Sequence, residues 1–234
     1  MQGRRDGPPW PPGGYGEDEK VAARRAVGAV NTRWLGTLDY AEGLALQEAA
    51  WVQAVAGGPP TLFGLEHRPV LTLGKRGGAV RSAAAAAAGY AVWSTRRGGL
   101  ATCHEPGQLV GYVVVDARAF GVRALVHRLE GCLIDWLDTL GLAAARRAGL
   151  PGIWVGDQKL ASVGLRIRGG FSTHGFALNL CNGLRGFDLI DPCGMPGVTP
   201  TSVRRLCRAA PTPQVAWESL GPALRLALCP PNSP

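Results

Sequence analysis

Residues 152–197 read GIWVGDQKLASVGLRIRGGFSTHGFALNLCNGLRGFDLIDPCGMPG, and this stretch decides how the rest of the chain is read. Lys159 to Arg168 alternates as a strand does, and Phe171 to Leu180 follows across Arg168-Gly169-Gly170 as its antiparallel partner. Such a hairpin sets Lys159 far from the turn, with its strand partner near Leu180, and a loop then carries the chain to Cys193. Pro192 and Gly194 flank that cysteine, a pattern that places the sulfur in a tight turn at a strand or loop end, where a side chain is exposed. A thiol reacts as the thiolate, and because the free group has a pKa of about 8.5 it needs a neighbouring cation or base at neutral pH. Lys159 is the candidate for that group.

Composition sharpens the case for the lysine. Of 25 basic residues only Lys20, Lys75 and Lys159 are lysines. An arginine stays protonated at any working pH, whereas an ammonium shifts its pKa when buried and exchanges a proton. Spacing alone leaves open the plainer alternative, a solvated strand-edge lysine and a small buried cysteine.

Outward from the hairpin, residues 1–25 are rich in Pro, Gly and charge and are expected to be a disordered extension, with one domain over residues 26–234. Val27 to Leu35 has strand character. Asp39 opens a helix with a capping pair to Glu42, and Gly57-Gly58-Pro59 stops it. Thr61 to Glu66 and Val70 to Leu73 are short strands, followed by the loop GKRGG, whose Lys75 and Arg76 belong either to the mouth of a site or to a solvated turn. Arg81 to Gly89 is an alanine-rich helix, and Tyr90 to Thr95 is a strand delivering a loop at Arg97. Gly98 and Gly99 let the backbone approach a ligand and offer amide N–H groups to a carbonyl oxygen. Leu109 to Val115 reads as a strand buried on both faces. Val122, Leu125, Val126, Leu129, Leu133, Trp136, Leu137 and Leu140 form a helical core stripe ended by Gly141. From Thr199 the chain reads as helical in two pieces, the second starting at Thr212-Pro213.

The 234 residues, 46% hydrophobic and 18% charged, suit one soluble α/β domain with a substantial core. A formal charge of +8 points to an acidic partner; the arginines are scattered and no nucleic-acid motif is present, so nucleic acid is not expected. The six cysteines are irregularly spaced, and without a secretory signal they are expected to be reduced. No C-x-x-C pair occurs and His67, His104, His127 and His174 stand apart, so no metal site is expected. No run approaches the ~20 apolar residues of a membrane span, and the cytoplasm is the expected compartment.

Four segments, RGGLATCHEPGQLVGY (97–112), GIWVGDQKLASVGLRIR (152–168), THGFALNL (173–180) and DPCG (191–194), occur in the order and spacing of one family. The chain resembles the lipoate-biosynthesis octanoyltransferases from about Val27 to the last helix. The resemblance implies the mixed-sheet α/β architecture of biotin and lipoate protein ligases, with Cys193 as the acyl-accepting nucleophile and Lys159 as the group that lowers its pKa. It assigns acyl binding to Arg97, Gly98, Gly99, Leu100, Ala101, Thr102, Cys103, His104, Ser162, Val163, Gly164, Gly175, Phe176 and Ala177. The implied donor is octanoyl-acyl carrier protein. The implied acceptors are lipoyl domains of 2-oxoacid dehydrogenases and the glycine-cleavage H protein, and no metal, nucleotide or other cofactor is implied. His104 and His174 are candidates for shaping the pocket or relaying protons. The chain departs from the family at Cys103, usually aromatic, and Glu105, usually glycine, which puts one pocket wall in doubt. Two other classes stay open on sequence: an ATP-dependent lipoate or biotin ligase, and a non-catalytic lipoyl-domain binding protein.

Overall fold

A computed structural model describes residues 30–190, 198–207 and 209–229. The expected N-terminal extension (1–25) and the turn carrying Cys193 lie outside these residues. In chain order the elements are β1 (Asn31–Leu38), α1 (Tyr40–Val55), β2 (Thr61–His67), β3 (Val70–Leu73), α2 (Ser82–Ala87), β4 (Ala91–Ser94), β5 (Ala101–His104), β6 (Gln108–Val114), α3 (Val122–Asp138), β7 (Ala145–Arg147), β8 (Leu150–Val155), β9 (Gln158–Arg168), β10 (Phe171–Asn179), β11 (Thr199–Pro200), α4 (Val203–Leu206) and α5 (Pro213–Leu228). Among the described residues no helix is long and apolar enough to cross a membrane.

The large sheet has the order β1-β2-β6-β10-β9-β8-β7, with β11 added beside β9. It is mixed: β1 pairs parallel to β2 and β11 parallel to β9, while β2, β6, β10, β9, β8 and β7 pair antiparallel in turn. The β9–β10 hairpin has the expected register, Arg168 opposite Phe171 and Ala161 opposite Leu178. Every residue of the central strands β6 and β10 is buried; β6 accordingly reads as a near-continuous apolar run, whereas β10 also buries the polar Ser172, Thr173, His174 and Asn179. Alternation along β6 feeds two cores. Leu109 and Val113 join Leu125, Leu129 and Leu133 of α3 and Trp217, Leu220 and Leu224 of α5. Val110, Tyr112 and Val114 join Ala50, Trp51 and Ala54 of α1. Close packing dictates two glycines on this plane: a Cβ at Gly64 would lie 2.1 Å from the Trp217 ring, and one at Gly111 2.0 Å from the Phe176 ring.

Helix α1 starts where its capping pair places it, with Asp39 N–H donating to Glu42 Oε2 at 2.8 Å. Helix α5 starts at the Thr212 cap, whose hydroxyl accepts from Val215 N–H. Three readings need correction. Ala101–His104 is a strand, and with β3 and β4 it makes a separate three-stranded sheet in the order β4-β3-β5. Thr199–Pro200 is extended, because Thr201 N–H donates to Lys159 O and ties it to β9. Val122, at the head of the α3 stripe, is 47% exposed, since the first turn of that helix overhangs a cavity and does not cross the core.

Candidate active site

The cavity has a volume of about 600 Å³ and lies where the β9–β10 hairpin, the loop before β5 and the starts of α1 and α3 converge. Lys159 lines it, and so do all but one of the residues assigned to acyl binding: Arg97, Gly98, Gly99, Leu100, Ala101, Thr102, His104, Ser162, Val163, Gly164, Gly175, Phe176 and Ala177. Hairpin register explains why two separate motifs act together. Ser162 faces Ala177, Val163 faces Phe176 and Gly164 faces Gly175, so the two triplets are the same rungs of one ladder.

Cys103 is the exception. It is fully buried and packs with Leu71, Ala85, Leu184 and Phe187, away from the cavity. Neighbouring strand residues point to opposite faces, so once 101–104 is a strand, Thr102 and His104 face the cavity and Cys103 cannot. The missing aromatic therefore removes no cavity wall. Glu105 has a structural place as well: its carboxylate accepts from Tyr90 Oη at 2.5 Å, Asn182 Nδ2 at 3.1 Å and Leu184 N at 2.5 Å, and so ties β5 to the loop that follows β10.

The loop 97–99 is held from both sides. Gly98 N–H donates to Leu165 O at 2.9 Å, and a Cβ at Gly164 would lie 2.9 Å from Gly98 O. The Gly98 amide is thus committed to β9, which corrects its expected part in binding a carbonyl. Arg97, 9% exposed, donates through Nη2 to Thr72 O at 2.6 Å and to Thr72 Oγ1 at 2.8 Å, and through Nη1 to Gly98 O at 3.0 Å.

The buried end of the cavity also includes Tyr40 and Tyr112, which sequence reasoning missed. A signal existed in the helical spacing of Tyr40, Gly43 and Gln47, all buried on one face of α1. Behind them, His67 Nδ1–H donates to Leu38 O at 3.1 Å, so its Nε2 accepts from Tyr112 Oη at 2.5 Å. His104 Nδ1–H donates to Gln108 Oε1 at 2.9 Å; that oxygen is the acceptor because Gln108 Nε2 donates to Cys103 O and Asn179 Oδ1. Burial holds all three imidazoles neutral. His67 is lowered to about 4, His174 to about 3 with Arg97 adding to the effect, and His104 lies well below the usual range. Burial raises Tyr40 to about 12 and Tyr112 well above the ordinary phenol value. Groups so far from neutrality do not relay protons efficiently, which leaves His104 and His174 as pocket-shaping residues.

At the other end the wall is open. Arg76 and Pro151 are exposed, and Val122 and Lys159 stand with them on the lining. Lys75 is exposed beside Arg76 and does not line the cavity. The Lys159 Nζ lies 5.5 Å from the centre of the Trp154 ring, and a Cβ at Gly152 would meet Lys159 Cε at 2.9 Å. Cys193 lies outside the described residues, but the chain on each side of it is fixed. Ile190 bridges to Val80, and Thr199 and Pro200 pair with Gln158 and Lys159. Cys103, Cys132, Cys181, Cys207 and Cys229 are free thiols, and none lines the cavity.

Residues 39–223 match the family described as the lipoyl protein ligase A/B catalytic domain. An octanoyltransferase of Nitratidesulfovibrio vulgaris (strain DSM 19637 / Miyazaki F) is 44% identical over 187 residues, covering 77% of this chain and 86% of that protein. Among solved structures, a lipoate-protein ligase A bound with ATP superposes with a TM-score of 0.68 at 16% identity, covering 85% of each chain. A biotin protein ligase from Aquifex aeolicus in complex with biotin and ATP gives 0.57 at 11% identity, covering 85% of this chain and 70% of that one. At these identities the two structures show a shared fold, which is the architecture expected from the sequence.

Proposed function

Because the chain belongs to the lipoyl protein ligase A/B catalytic-domain family, we propose that it is the acyltransferase that moves an octanoyl group from acyl carrier protein, through an S-octanoyl-Cys193 intermediate, to the lysine of a lipoyl domain. Octanoyl transfer in lipoate biosynthesis is the activity of its octanoyltransferase relatives and of this chain with them. The observation that carries the mechanistic reading is the pairing of β11 with β9. The first described element after Cys193 returns alongside Lys159, at the open end of a cavity lined by the acyl-binding motifs.

In the first half-reaction the Cys193 thiolate attacks the thioester carbonyl. A carbon–sulfur bond to Cys193 forms as the bond to the carrier's pantetheine sulfur breaks, and the departing thiolate takes up a proton. In the second, the neutral amine of the target lysine attacks the S-octanoyl group, an amide bond forms, and Cys193 leaves as thiolate. Lys159 as an ammonium stabilises the thiolate and gives its proton to the departing pantetheine thiolate, and the neutral amine so formed takes up the proton lost by the incoming lysine. Residues 26–234 are assigned to this catalytic domain and 1–25 to an extension. The acceptors are the lipoyl domains of 2-oxoacid dehydrogenases and the H protein, and the reaction is placed in the cytoplasm with its carrier-bound donor.

The test is transfer from octanoyl-acyl carrier protein to an unmodified lipoyl domain without ATP, which this reading requires to proceed. A reaction that needs ATP and free octanoate would instead make the chain a ligase. The charge of +8 adds an expectation. Exposed charges are screened within about 8 Å at physiological ionic strength, so added salt should weaken transfer from the acidic carrier protein more than transfer from octanoyl-pantetheine. Equal salt dependence for the two donors would remove the basic surface from docking.

A further inference from the structure

Strand β9 is irregular where Lys159 stands. Ile153 of β8 is opposite Ala161, but the next residue, Trp154, is opposite Lys159, so Leu160 is an extra residue in β9. A bulge of this kind re-aims the side chains beside it. The packing records the change: Leu160 and Ala161, adjacent in sequence, both lie in the core shared with Leu129 and Leu133 of α3. In a regular strand, where side chains repeat every second residue, Lys159 would follow Ala161 into that apolar core. With Leu160 inserted it takes the other face, beside Trp154, whose ring centre is 5.5 Å from Nζ.

On that face the lysine stem passes directly over Gly152 of β8. A Cβ at Gly152 would lie 2.9 Å from Lys159 Cε and 2.3 Å from Ala161 O, and the φ of Gly152 is 122°. Residue 152 is therefore glycine for two reasons, its backbone and the space that the stem takes. Gly152 also lies beyond the last rung of the β8–β9 ladder, Ile153 opposite Ala161, so its N–H needs an acceptor from elsewhere. Glu130 of α3 supplies it, with Oε1 accepting from Gly152 N–H at 2.9 Å.

Glu130 is an unfavourable residue to bury. It is 7% exposed on the helix that carries Leu129 and Leu133 into the core, and it does not line the cavity. Its second oxygen lies 3.3 Å from Arg146 Nε on β7, and Arg146 Nη2 donates in turn to His127 O at 2.7 Å. Packing alone would be met by a leucine or methionine. A carboxylate has two acceptor oxygens, and here one takes the orphan amide beneath the lysine stem while the other ties down the edge strand.

We infer that Glu130 is a positioning residue for Lys159: it fixes the Gly152 backbone, and Gly152 with the Leu160 bulge gives the lysine stem its path to the open end of the cavity. The inference rests on the octanoyltransferase reading, in which Lys159 serves Cys193.

The experiment measures kcat and KM for octanoyl transfer from acyl carrier protein to a lipoyl domain. Glu130→Met removes the acceptor at similar volume. It should lower kcat at least about tenfold, part of the worth of a positioned acid or base, and leave KM for the donor within about twofold, because Glu130 is not on the lining. Glu130→Gln keeps an acceptor oxygen and should restore kcat to within about twofold of wild type. Arg146→Gln, which removes the ion pair and leaves the bond to Gly152, should do the same. Coupling decides the matter: in a Lys159→Met background, Glu130→Met should lower kcat by no more than a further twofold or so, since a residue acting through Lys159 has nothing left to position. A merely structural role would repeat the tenfold loss in that background. That result, or a Glu130→Met protein within about twofold of wild type, would overturn the inference. If Glu130→Met does not fold, Gly152→Ala, which pushes on the lysine stem and keeps the carboxylate, takes its place with the same expected loss and the same coupling. Wild-type turnover by Lys159→Met itself would instead remove Lys159 from the octanoyltransferase reading, and the inference would fall with it.

Discussion

Replacing Cys193 by alanine is expected to lower octanoyl transfer from acyl carrier protein to a lipoyl domain by more than about 10³-fold, the scale of loss when a covalent nucleophile is removed from a working site. The size of the effect depends on there being no substitute thiol. The five described cysteines offer none: burial raises Cys103, Cys132, Cys181 and Cys229 above the ordinary thiol value, Cys229 to about 12, and all five lie off the cavity. Acyl binding should survive, because the 97–104 loop and the β9–β10 rungs supply the described lining. Steady-state rates with saturating donor check the prediction; retention of more than a tenth of wild-type turnover would mean that the amine attacks the carrier thioester directly.

Lys159 should show two separable effects. A cation near a thiolate favours ionisation, and each pKa unit gained corresponds to about 1.4 kcal/mol. Lys159→Met removes both the charge and the proton carrier. It should move the pH profile of Cys193 alkylation upward and lower overall transfer by about 10²–10⁴-fold, the usual worth of a positioned acid or base. Lys159→Arg keeps the charge and cannot give up a proton. It should therefore alkylate at neutral pH at a rate closer to wild type, while transfer to the lipoyl lysine falls by about 10²-fold or more. Alkylation of Lys159→Met along the wild-type pH profile would take the thiolate away from Lys159 and assign it to another cation.

The hairpin that places Lys159 was legible because its signals are local: alternation over Lys159–Arg168 and two glycines at the turn, Gly169 and Gly170, both with positive φ. Helix α1 was legible through Asp39 and Glu42 for the same reason. Strand β5 was not. Ala-Thr-Cys-His has no apolar period, and all four residues are buried, Cys103 against Leu71, Ala85, Leu184 and Phe187 and His104 at the closed end of the cavity. That one missed strand accounts for the placing of Cys103 on the acyl pocket. Without β5, alternation could not separate Thr102 and His104 from Cys103, while the Gly98 amide is held by Leu165 O through a tertiary contact of the loop with β9 that leaves no local signal. Tyr40, Tyr112, Gln47 and His67 come from α1, β6 and β2 and meet only through tertiary packing.

The central claim, a covalent S-octanoyl enzyme at Cys193, is tested most directly by the intact mass of the protein after mixing with octanoyl-acyl carrier protein in the absence of ATP and acceptor. The account predicts one added octanoyl group on the wild-type chain, mapped by peptide analysis to Cys193, and none on Cys193→Ala. An equal adduct on Cys193→Ala, or an unmodified wild-type chain that nonetheless transfers octanoyl once a lipoyl domain is supplied, would contradict it.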